Sequence, residues 1–133
     1  MEIPYFLRII HNHNKKHALD LFKYVQEFIV NEEVIAFCFS QIATSSYELK
    51  EYDQAIIYYE KAIAIFKKIA KLNALGYTNF MLSQIAVAKR DMSSAPKFAK
   101  KALIYAEQAE EERLRLDIII ISGYKESPSE LIL

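Results

Sequence analysis

The sequence predicts an all-α protein, an α-α superhelix of about two to three helical hairpins with a C-terminal capping helix. Two stretches repeat each other at a fixed offset. Tyr52-Asp53-Gln54-Ala55-Ile56-Ile57-Tyr58-Tyr59-Glu60-Lys61-Ala62-Ile63 superposes on Met92-Ser93-Ser94-Ala95-Pro96-Lys97-Phe98-Ala99-Lys100-Lys101-Ala102-Leu103, an offset of 40 residues from Ala55 to Ala95. A second apolar pattern precedes each stretch, Phe39-x2-Ile42-Ala43-x2-Ser46 and Asn79-x2-Leu82-Ser83-x2-Ala86. Each repeat is therefore two helices. Only two Gly and three Pro occur in 133 residues that are 53% apolar, which leaves little room for strand-rich turns. The length fits one domain, residues 1–133, burying roughly two thirds of its surface.

The elements follow in order. A short helix over 3–10 is broken by the polar run His11-Asn12-His13-Asn14, and Asn14 caps a helix to about 30. Asn31 opens the next, with Glu32 and Glu33 at the positive end of its dipole, running to about 49. Lys50-Glu51-Tyr52 turns the chain. The apolar pattern after Ala62 continues through Ile63, Ile65, Phe66, Ile69 and Ala70, so a long helix is expected over 53–71, followed almost at once by one over 73–90. Ser93 or Ser94 caps a helix to about 112, with Pro96 in its first turn. A further helix over about 114–122 stops at Gly123, the expected left-handed cap. Ser127-Pro128-Ser129-Glu130 has capping-box spacing and announces one more helix.

At residues 36–65 the chain resembles the tetratricopeptide repeat family. Phe39 stands at the bulky position of the first helix, Ile42 at its leucine, Ala43 at its small residue, and Ala55-x3-Tyr59-x2-Ala62 completes the second helix. Ser46 replaces the usual tyrosine, with Tyr47 beside it. A second unit keeps Ser83, Ala95 and Ala102 at the close-packing sites but has Asn79 and Ala99 at the bulky and aromatic positions. Ala18-x3-Phe22-x2-Val25 marks a degenerate unit upstream, so the resemblance spans about residues 5–110. The 40-residue spacing exceeds the usual ~34, which implies helices about a turn longer. Long-helix repeats of this kind resemble bacterial peptide-sensing regulators, the Rap phosphatase, PlcR-like and phage arbitrium-receptor group. The incomplete units at both ends also suit a fragment or miniature of a longer solenoid.

In that family the first helices of successive hairpins line a concave groove. Carried onto this sequence, the partner-binding stripe is Phe37, Ser40, Gln41, Thr44, Tyr47 and Glu48, then Tyr77, Phe80, Met81, Gln84, Val87 and Ala88. Three- and four-residue steps put each set on one helix face. Amides suit a peptide backbone, and the aromatics and methionine accept apolar side chains. The resemblance thus implies a regulator that captures a protein or short peptide. Paired basic residues for a terminal carboxylate are missing, which disfavours a chaperone adaptor.

Charge narrows the partners further. Seventeen basic residues balance seventeen acidic ones, so the net positive field of a nucleic-acid binder is missing. Lys67, Lys68, Lys71, Lys97, Lys100 and Lys101 are scattered over second helices. No apolar run approaches a membrane span, and no signal peptide opens the chain. One cysteine, Cys38, forms no internal disulfide, and a reducing cytoplasm is the expected compartment. In its apolar helix it reads as a buried inert thiol. His13 and His17, one helical turn apart with His11 nearby, lack the acidic and thiol neighbours of a metal site and read as a solvated turn. Glu107, Glu110, Glu111 and Glu112 with Arg113 and Arg115 read as a solvated charged face. With no phosphate loop, triad or metal cluster, neither catalysis nor a cofactor is expected.

An alternative role is structural. Ile118, Ile120, Ile121, Leu131, Ile132 and Leu133 form an apolar end that suits homodimerisation, or an intramolecular lid.

Overall fold

The computed structural model describes residues 31–122 together with Asp20 and Lys23. The helices expected over 3–10 and 14–30, the degenerate upstream unit, the histidine turn, the Gly123 cap and the segment 127–133 lie outside the described residues. Among the described residues every regular element is an α-helix: α1 (Glu32–Glu48), α2 (Tyr52–Lys68), α3 (Leu72–Ala88), α4 (Ala95–Gln108) and α5 (Glu112–Ser122). The protein is an all-α helical repeat. No helix among the described residues is long and apolar enough to cross a membrane.

Asn31 caps α1 as its sequence position predicts. Its Oδ1 accepts from the backbone N–H of Glu33 at 2.9 Å and of Val34 at 3.3 Å, satisfying donors that a helix N-terminus leaves orphaned. The cap of α4 differs from expectation. Ser94 occupies the cap position without a side-chain bond. Asp91 does the capping: its Oδ1 accepts from Ser94 N–H at 3.2 Å and from Ser93 Oγ at 2.9 Å. These bonds, the Ser94 side chain's foremost, hold the Asp91 carboxyl below the usual aspartate range. Pro96 falls in the first turn, where its missing N–H is harmless.

The turns reveal a finer period than the sequence does. Lys50, Ala70, Arg90 and Glu110, each twenty residues after the last, hold positive φ of 62°, 55°, 59° and 56°. At Lys50 the geometry is a Schellman motif: Lys50 N–H donates to the Tyr47 carbonyl at 2.9 Å and Glu51 N–H to that of Ser46 at 2.8 Å. Arg90–Asp91 and Glu110–Glu111 repeat the same pair of bonds. Ala70 therefore ends α2 at Lys68, short of the predicted 71, and α3 opens at Leu72. The extra length of the repeat is shared by α1, α2 and α3, each of 17 residues.

Contacts divide the chain into two compact units, residues 1–69 and 70–133. In the first, α1 packs on α2. Ala36, Ile42 and Ala43 of α1 and Ala55, Tyr59, Ala62 and Phe66 of α2 are all but fully buried. In the second, α3 packs on α4, and α5 packs chiefly on α4 and less on α3. Phe80, Ala102, Leu103, Ala106 and Ile118 form its core cluster, with Leu114 and Ile119 against it.

Gly76 shows how closely α3 and α4 approach. A Cβ there would stand 3.0 Å from Leu114 Cδ2, 3.4 Å from Ala106 N and 3.5 Å from Ala102 O. Ala95, Ala99, Ala102 and Ala106 recur at one-turn steps along the buried face of α4 and permit this approach.

Candidate partner-binding site

The predicted stripe on α1 is largely a packing surface. The half-buried Phe37 ring meets Phe66 edge-on, with centroids 5.2 Å apart at 67°. Ser40 is buried. Thr44 Oγ1 lies 3.0 Å from the Ser40 carbonyl oxygen, to which it donates, and 2.7 Å from the Tyr59 hydroxyl. Tyr47 leans on Tyr52 at 5.9 Å. Gln41 is half-buried, and Glu48 is exposed.

The stripe on α3 divides. Phe80 belongs to the core, against Ala102, Leu103, Ala106 and Ile118, so its assignment to partner binding is corrected. A residue at one helical spacing from exposed neighbours is still core when a third helix, here α5, covers its face. Tyr77 is 41% and Val87 44% exposed, and Ala88 is open as well. Met81 and Gln84 are half-buried, and the Nε2 of Gln84 is buried with no hydrogen-bond partner. A buried amide donor left unpaired costs about 1–3 kcal/mol, so it marks a place with an unmet demand.

Beside these residues opens a cleft of about 180 Å³, lined by Ser83 and Val87 of α3, Met92 of the connecting loop, Ala95, Pro96 and Ala99 of α4, and Ser122 of α5. Met92 is 65% exposed at its mouth. Ser83 Oγ donates to the Phe80 carbonyl at 2.6 Å, and Ser122 Oγ to that of Ile118. Reading the sequence as a groove along first helices missed this cleft, because half of its wall comes from α4. Ala99 at an aromatic position of the repeat is the signal that pointed to it.

The apolar end also divides. Ile118 is fully buried in the core cluster, which removes it from the self-association set. Ile120, 74% exposed, and Ile121 remain open with Leu116. Leu131, Ile132 and Leu133 lie outside the described residues.

Other candidate chemistry is quiet. Burial pushes the Cys38 thiol up to about 11, so it stays protonated at neutral pH, as an inert core thiol should. Among the described residues no group of His, Cys, Asp and Glu is arranged to hold a metal. Within the charged face near α5, Arg115 forms a bidentate pair with Glu112 at 2.6 and 3.0 Å, and its hydrogen bonds lower the Glu112 carboxyl. Lys61 lies 5.5 Å from the Phe39 ring centre and 5.2 Å from that of Tyr58.

Comparison of the chain with protein-family models, with curated proteins and with solved structures finds no match. The functional reading rests on the geometry.

Proposed function

We propose that the protein is a non-enzymatic binding module of tetratricopeptide-like type, acting as a regulator by capturing a protein segment or short peptide through the α3 side of its second unit. One observation carries this reading. Tyr77 stands 40 residues after Phe37, yet where Phe37 has Phe66 to pack on, the matching position on α4 is Ala106. The ring of Tyr77 is therefore left 41% exposed, beside the unpaired Gln84 amide and the exposed Val87. Exposed aromatic rings with adjacent unmet polar groups are the usual anchors of protein interfaces. The balanced charge favours protein over nucleic acid as the partner, and the lone buried thiol suits a reducing cytoplasm.

Selection of a displayed random-peptide library on the intact immobilised chain tests the reading. Recovered peptides should lose binding to Tyr77→Ala and Gln84→Ala while both variants keep wild-type helical circular dichroism. Peptides indifferent to both substitutions, or no peptides at all, remove this surface.

A second reading has its own observation. Leu116, Ile120 and Ile121 leave an apolar strip exposed on α5, which fits assembly into a homodimer. Sedimentation decides it: a wild-type dimer that Ile120→Glu converts to monomer supports assembly, and a monomeric wild type rejects it.

A further inference from the structure

We infer that the cleft beside Ala99 is a socket for one tyrosine side chain carried by the partner segment, an inference that rests on the binding-module reading above. The two hairpins supply the reasoning. Residues 47, 52 and 59 of the first are Tyr, Tyr and Tyr; their counterparts 40 residues on are Val87, Met92 and Ala99, and all three line the cleft. The aromatic that fills the first hairpin from its second helix, Tyr59, is fully buried. Its counterpart is a methyl group.

Size agrees with an aromatic guest. A cleft of about 180 Å³ lies below the roughly 300–1,000 Å³ of sites for whole cofactors, whereas an apolar cavity of roughly 150 Å³ takes a benzene ring.

The polar groups select the hydroxyl. In the first hairpin the Tyr59 hydroxyl pairs with Thr44 Oγ1 at 2.7 Å. The counterpart of Thr44 is Gln84, whose buried Nε2 has no acceptor. A phenol oxygen supplies one. Ser83 and Ser122 spend their protons on the Phe80 and Ile118 carbonyls, so their oxygens are left as acceptors on the cleft wall for the phenol proton. Phenylalanine would fill the same space and leave the amide unpaired.

The test uses the intact chain with labelled methionine and alanine methyls, titrated with N-acetyl-tyrosinamide, N-acetyl-phenylalaninamide and N-acetyl-leucinamide. The tyrosine probe should shift the Met92 and Ala99 methyl signals saturably. The phenylalanine probe should bind about tenfold more weakly, the change one satisfied amide supplies, and the leucine probe should leave both signals in place. Ala99→Tyr, which fills the socket from within, should melt no lower than wild type and should no longer shift at Met92. Equal binding of tyrosine and leucine probes, no shift at Met92, or a strongly lowered melting temperature for Ala99→Tyr overturns the socket. Selected peptides that bind Ala99→Tyr as tightly as wild type also overturn it, while leaving the binding module itself intact.

Discussion

In the first hairpin the face of α2 that meets α1 carries Tyr59 and Phe66; at the same places 40 residues on, α4 carries Ala99 and Ala106. Both pairs are buried, but they bury different amounts of matter. The first hairpin closes on its own aromatics, Phe66 against Phe37 and the Tyr59 hydroxyl against Thr44. In the second, Gly76 and the alanine face bring α3 and α4 close together, and bulk comes from Phe80 on α3 and from Leu114 and Ile118 on α5. One repeat unit has thus been filled in two ways. The second way leaves Tyr77 without a ring to pack on and a cleft where the aromatic stood.

Removing the aromatic fill should cost most. Phe66 is fully buried, so Phe66→Ala should destabilise by about 3–5 kcal/mol in urea unfolding. A loss below about 1 kcal/mol would mean that the first hairpin does not depend on its rings.

Closing the tight approach in the second unit comes next. Gly76→Leu must displace the Ala106 and Ala102 backbone and should cost about 1–3 kcal/mol. Gly76→Ala should be nearly neutral: its nearest neighbour is the movable end of Leu114, and alanine gains about 1 kcal/mol of helix propensity. Equal losses for both variants would contradict the close crossing.

The turns give a smaller effect of opposite sign. Ala70 holds φ 55°. A left-handed conformation costs an L-residue roughly 1–2 kcal/mol, and glycine gives back roughly 0.5–1 kcal/mol in unfolded freedom. Ala70→Gly should therefore stabilise by about 0.5–1 kcal/mol, read as a rise in melting temperature. A fall would place Ala70 outside the left-handed region.

The smallest effect is a pH dependence confined to the second unit. Asp91 has its folded-state pKa lowered by the Ser94 and Ser93 bonds, so its contribution is present above the unfolded value near ~3.9 and is lost as pH falls through the folded one. Asp91→Ala should lower the melting temperature at neutral pH and converge with wild type in strong acid. A constant gap across that range would remove the cap from the account.

Much of this was readable beforehand, and the physical reason is repetition. The 40-residue offset, the Asn31 cap and the small residues Ala43, Ala55, Ala62, Ser83 and Ala102 are all where the pattern puts them, because periodic burial leaves a periodic trace. The turns were less legible. Lys50, Ala70, Arg90 and Glu110 take up a conformation that their side chains do not favour, so nothing local announces them. Only their twenty-residue period does. The site was the least legible part. Whether Phe80 faces a groove or the core depends on α5 lying across it, and helical spacing within α3 carries no record of that neighbour.

The central claim is that the second unit is the first with its aromatic fill withdrawn, leaving a socket shaped for a ring. A crystal structure of Ala99→Tyr tests it most directly. The account predicts that the new ring lies in the cleft between Ser83, Val87 and Ser122, with its hydroxyl within about 3 Å of Gln84 Nε2 and α3, α4 and α5 unmoved. A ring turned out to solvent, or helices pushed apart to admit it, would contradict the claim.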